Sequence, residues 1–134
     1  MKETNKRPRD YDGAQYGIDL SSTVVQPMAE GGPTHDVLQD VVYGWLKGNT
    51  MFILESEYSS LTYGDFVERI GCDAQEYRYK SLGSQRSYTW VACDKEFAKF
   101  GAFFRENEAG EWTIWATGSA QIDTPEWYID QFKK

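Results

Sequence analysis

Histidine is almost missing from this chain: His35 stands alone, and cysteine occurs twice in 134 residues. One imidazole with two widely separated thiols, Cys72 and Cys93, fits no metal-ligand spacing. No metal or cofactor is therefore expected. No serine–histidine–aspartate set shows a spacing signal, and His35 falls at a predicted helix start, where an imidazolium is disfavoured. It reads as a surface residue rather than a base, and no enzyme is expected. The "GGP" at 31–33 reads as a linker bend, because no GK[ST] follows it.

Long apolar runs are also lacking, so no membrane span is expected. The segment after Met1 is polar, unlike the apolar region of a signal peptide. That fits an intracellular chain, or a mature secreted one whose leader was removed, with room for a lipid tether in the second case. Positive charge is scarce. Fourteen Lys and Arg face 21 Asp and Glu, a net charge of −7. A phosphate-binding surface needs clustered cations. The one cluster, Lys2, Lys6, Arg7 and Arg9, is interleaved with Glu3 and Asp10 and reads as a solvated tail. Nucleic acid is not expected as a partner.

Aromatics are abundant instead: five Trp, nine Tyr and seven Phe make 16% of the chain. Rings fill cores, and they also anchor binding surfaces. The length suits one domain. Residues 1–33 read as a flexible polar tether closing on "EGGP", too poor in apolar residues to offset their ordering entropy. Tyr11, Tyr16, Ile18, Leu20, Val24 and Val25 are the residues there that could dock locally.

Residues 34–134 read as a single α+β domain. "THDVLQDVVYGWLKGN" is a helix capped by Thr34, with Val37, Leu38, Val41, Val42, Trp45 and Leu46 as its apolar stripe and Gly48 as its stop. "MFILESEY", 51–58, leans towards a helical turn. "LTYGDFVERIG" starts on Thr62 and Asp65 as a box-like cap, turns Phe66, Val67 and Ile70 inward, and ends on Gly71. From Glu76 the period changes to alternation. "EYRYKS", "RSYTWVAC", "FAKFGAFFRE" and "EWTIWATGSAQI" read as four strands joined by short turns, hence an antiparallel meander. "TPEWYIDQF" closes the chain as a short helix begun by Pro125.

The order helix, glycine, cysteine, then a four-stranded meander with a second cysteine ending its second strand, resembles the repeat unit of the beta-lactamase inhibitory protein family. It is also similar to small envelope lipoproteins of the outer-membrane small-protein-A type. The residues that carry the resemblance are "SLTYGDFVERIG", "YTWVAC" and "AFFREN-EAGEW", one copy over roughly residues 50–122. The resemblance implies helices packed on one face of a four-stranded antiparallel meander sheet, and a location in the cell envelope or outside the cell. It also implies a Cys72–Cys93 bond that pins the helix end to the sheet, which by loop entropy would contribute about 3 kcal/mol. Two reduced thiols in a cytoplasmic protein are the other reading.

A one-sided sheet must turn alternate residues away from the helices. If Phe100, Ala102, Phe104, Trp112, Ile114 and Ala116 face the core, then Lys99, Phe103, Arg105, Thr113 and Trp115 face outward. Tyr77, Tyr79, Tyr88 and Trp90 could lie on either side, because alternation alone does not give the register, and the three tyrosines are added as candidates. An aromatic outer face of Tyr77, Tyr79, Tyr88, Lys99, Phe103, Arg105 and Trp115 suits a protein partner. The opposing expectation is that the N-terminal segment or the 35–47 helix covers it. The leading function is a non-enzymatic protein-binding module. One alternative is a pocket domain of the nuclear-transport-factor-2-like type that binds a small molecule. Another is a small acidic intracellular inhibitor or immunity-type protein that captures a basic target.

Overall fold

A computed structural model of the chain describes residues 27–48, 58–80 and 84–133. Within them, four strands form one antiparallel meander in the order β1 (Glu76–Lys80), β2 (Gln85–Val91), β3 (Lys99–Glu106) and β4 (Trp112–Ala120). Among the described residues, three short α-helices and one π-helical stretch complete the α+β fold, the α-helices being α1 (His35–Gln39), α2 (Tyr63–Ile70) and α3 (Glu126–Asp130). Among the described residues, no helix is long and apolar enough to cross a membrane. Residues 1–26 and 51–57, which hold most of the expected tether and the "MFILESEY" turn, lie outside the described residues.

Local chemistry sets the helix ends. Thr34 Oγ1 accepts the Val37 N–H at 3.3 Å and starts α1. The helix then widens into a π-helical stretch, Asp40–Trp45, in which the Leu46 N–H donates to the carbonyl of Val41 at 2.9 Å. Periodicity alone did not distinguish this widening from a continuous α-helix. The stripe nevertheless faces inward, with Leu38, Val41, Val42 and Leu46 buried. In α2, Asp65 Oδ2 accepts from the Thr62 N–H at 2.9 Å and from the Thr62 hydroxyl at 3.1 Å. Gly71 ends α2 at φ 102°, a conformation that favours glycine.

Both flanks of the expected domain are docked by backbone and side-chain bonds. The last seven residues of the expected tether belong to the fold. The Phe97 N–H donates to Pro27 O at 2.7 Å, the Ala29 N–H to Ala92 O at 3.1 Å, and the Cys93 N–H to Pro33 O at 2.8 Å. Gly32 passes so close to the Val91 carbonyl that a Cβ there would collide with it. On the other flank, His35, Gln39 and Tyr43 repeat at one helical spacing and hold the chain after β4. Asp123 donates its N–H to His35 Nε2 at 3.0 Å, Gln39 Nε2 donates to Asp123 O at 2.9 Å, and the Tyr43 hydroxyl meets Thr124 Oγ1 at 2.9 Å. The His35 side chain is 12% exposed, so the expectation of a surface histidine is corrected: it packs as a staple. Lys95 Nζ lies 2.9 Å from Asp123 Oδ2, and this bond holds the carboxyl below the usual carboxylate range.

The core lies between α2 and the sheet and is built of rings. Phe66, fully buried, sits within 6.2 Å of the ring centres of Trp90, Phe100 and Phe104. Tyr63 stacks on Tyr88 at 4.0 Å and on Trp90 at 5.7 Å. Trp90 Nε1–H donates to the carbonyl of Cys72 at 2.9 Å, which ties the end of α2 to β2. Gln75 adds a second tie: its Oε1 accepts the Val91 N–H at 2.9 Å.

These ties correct the expected disulfide, since Cys72 and Cys93 are both free. Cys72 is half-buried and packs against the core, whereas Cys93 is exposed with its N–H drawn to Pro33. The indole ties the end of α2 to β2, the pinning that the bond was expected to do. Replacing Trp90 with Phe keeps most of the ring but orphans the Cys72 carbonyl. A loss of about 1–3 kcal/mol in urea unfolding is expected. An unchanged midpoint would show that the tie carries no stability.

Candidate functional site

Strand alternation, read with the pairing register, sorts the candidate residues into two groups. Tyr77, Tyr88 and Ala102 are cross-strand neighbours, as are Tyr79, Arg86, Phe104 and Ile114. Tyr77 and Tyr88 are buried at 6% and 1%, and Tyr88 packs on Tyr63 of α2. Their place on the outer face is therefore corrected: Tyr77, Tyr79 and Tyr88 all stand on the helix side. Tyr79 lies beyond the helices at the hairpin end, 49% exposed. Its ring meets Trp112 edge-on at 6.3 Å, and Arg86 covers the Trp112 ring at 3.9 Å.

Lys99, Phe103, Arg105 and Trp115 do come together on the opposite face. A β-bulge is the reason. Phe103 pairs with Ala116 while Phe104 pairs with Ile114, so Trp115 is an extra residue in β4. The bulge keeps Trp115 and Ala116 on the same side as Phe103 and reverses the alternation after them. Ala116, expected in the core, therefore joins the outer face, and Thr117 takes the inward place opposite Ala102 at 5% exposed. Alternation alone could not show this. The signal available was the run of small residues "ATGSA", which marks a strand with little to pack.

Two glycines shape the floor of this face. Gly101 pairs with Gly118, and a Cβ on either would touch the Phe103 ring, at 3.7 Å and 3.9 Å. The ring thus lies over the bare backbone of two strands, which covers the glycines and fixes the phenyl. Beside it, the Arg105 guanidinium lies 3.7 Å from the centre of the Trp115 ring, a cation–π contact between diagonal cross-strand neighbours. Lys99 Nζ reaches Glu76 Oε2 at 3.6 Å, with both side chains only 16% exposed.

The charge of the face opposes that of the chain. Among the described strand residues, Arg78, Lys80, Lys99 and Arg105 share it with one acid, Glu76, by strand parity and register. On the helix side, the rings of Phe66, Tyr88, Trp90, Phe100 and Phe104 pack against one another. Among the described residues, no group of three or more His, Cys, Asp or Glu could hold a metal ion.

No protein-family model, curated protein or solved structure matches this chain.

Burial also separates the thiols chemically. Desolvation chiefly raises the Cys72 pKa, so its thiolate is scarcer than in water. Iodoacetamide at neutral pH is expected to alkylate exposed Cys93 first and Cys72 several-fold more slowly, read by peptide mass. The denatured chain is expected to have one mass with and without reductant. A mass lower by about 2 Da without reductant would establish the bond instead.

Proposed function

We propose that the chain is a non-enzymatic protein-binding module, engaging a protein partner through the sheet face that lies opposite its helices. The observation that carries this reading is the alignment of Lys99, Phe103, Arg105 and Trp115 on one face while the described helices pack on the other. Rings held in place by glycine floors and by a stacked guanidinium supply contact area at small entropic cost. The resemblance in motif order to the inhibitory and envelope proteins supports the same reading, and with it a location in the envelope or outside the cell. The partner itself does not follow from a fold.

If the face serves binding rather than packing, its rings should contribute little to folding. Phe103→Ala and Trp115→Ala are each expected to cost less than about 2 kcal/mol, against ~3–5 kcal/mol for Phe66→Ala in the core. Urea unfolding of the three variants decides it. Losses at Phe103 and Trp115 as large as that at Phe66 would make them core residues and end the proposal.

A further inference from the structure

The register gives this face a groove, and the groove has a chemistry. On the outer side β2 presents Gln85, Ser87 and Thr89, all of them partly exposed, and at its end Val91, which is buried and opposite Lys99. β1 stands on one flank with Arg78 and Lys80, both exposed, and β3 on the other with Phe103 and exposed Arg105. Arg78, Ser87 and Phe103 form one cross-strand row, and Lys80, Gln85 and Arg105 form the next. Flanks two strands apart stand about 10 Å from one another, and successive rows lie about 7 Å apart along the strand. Short polar side chains between longer ones make a trough the width of an extended chain.

We propose that this trough takes an acidic, extended segment of a protein partner, its alternate carboxylates meeting Arg78, Lys80 and Arg105 and its apolar side chains meeting Phe103. The proposal rests on the protein-binding reading above and adds the class of partner. Charge complementarity carries it. Among the described residues, the strands place one acid on this face, Glu76, and it is engaged by Lys99 rather than by Arg78, Lys80 or Arg105. In an extended peptide, residues two apart project to the same side about 7 Å from each other, which is the spacing of Arg78 and Lys80. Arg105 is already held flat on Trp115, so its guanidinium fork is ordered before a carboxylate arrives. Ser87, Thr89 and Gln85 offer hydroxyl and amide groups to a peptide backbone along the floor. Single-stranded nucleic acid would also seek cations, but it needs successive rings on which bases can stack. Here Trp115 carries Arg105 against its face.

The test uses the full chain and fluorescence anisotropy, with a labelled synthetic peptide of repeating Glu-Ile and its Lys-Ile counterpart as probes. Binding of the acidic peptide alone is expected, weakening roughly tenfold when sodium chloride rises from about 50 to about 500 mM. Arg78→Glu with Lys80→Glu, and separately Arg105→Glu, are each expected to weaken it at least ~10-fold while circular dichroism stays unchanged. Equal binding of the Lys-Ile peptide, no binding of the Glu-Ile peptide up to about 1 mM, or tighter binding of an oligouridylate would overturn the proposal. So would binding that appears only after Asp10, Asp12 and Asp19 are replaced by Asn, which would make the chain's own N-terminal stretch the occupant. The two readings fail differently. Loss of binding in Phe103→Ala but not in the charge variants would keep the face and remove the acidic partner. Binding untouched by any of these variants would remove the face itself.

Discussion

The contact on which the rest of the structure depends is the wedge of Tyr63 and Phe66 against Trp90. Helix α2 is eight residues long, too short to be stable alone in water. It persists because Phe66 buries its whole ring among Trp90, Phe100 and Phe104, and because Trp90 then reaches past it to the carbonyl of Cys72. One side chain thereby packs the helix and bonds the residue just beyond its end. With α2 fixed, the Tyr63 hydroxyl accepts the Ala74 N–H at 3.1 Å and donates to Asp73 at 2.9 Å, so the turn into β1 is set as well. The described helices therefore pack on one side of the sheet, because the large buried rings on β2 and β3 are committed to this wedge.

Much of that arrangement could be read from residue order. The change from a helical to an alternating period near Glu76 marks where helices stop and strands begin, and short turns between strands leave a meander as the economical topology. Cap chemistry located α2 closely, since Thr62, Asp65 and Gly71 each have a distinct physical role there. Three features were not legible. The π-helical widening at Asp40–Trp45 changes the hydrogen-bond ladder without changing which residues are apolar. The bulge at Trp115 depends on pairing with β3, which alternation within β4 does not encode. The inward placement of Tyr77 and Tyr88 depends on parity relative to Trp90, and tyrosine is at home on either side of a sheet. His35 illustrates a further limit: a residue at a helix start became a staple only because Asp123, far along the chain, folds back onto it.

Net charge was a poor guide to the candidate face. A chain at −7 suggests a basic target, yet the acids of the described residues gather on the helices and loops, while the outer sheet face collects Arg78, Lys80, Lys99 and Arg105. Electrostatic recognition is local, because at physiological salt a charge is screened within about 8 Å. A partner touching the sheet meets the cations beside it. The overall negative charge then acts mainly on approach, where it slows the encounter of an acidic partner unless the face is presented first.

The bulge decides which residues this face presents. Uninterrupted alternation through β4 would turn Ala116 inward and Thr117 outward, so Trp115 would stand between two polar neighbours, Thr113 and Thr117. One added residue places Trp115 and Ala116 together opposite Phe103, and Gly118 opposite Gly101. The small residues leave room for the phenyl to lie flat, and Trp115 falls within reach of Arg105 on the neighbouring strand. A bulge costs ladder hydrogen bonds, and it leaves the inner face with Thr117, a polar side chain at 5% exposed, where an apolar one would pack better. Packing alone would favour removing it. The arrangement makes physical sense if the outer face must present an ordered cation beside ordered rings, the property that a docking surface needs and a solvated sheet face does not.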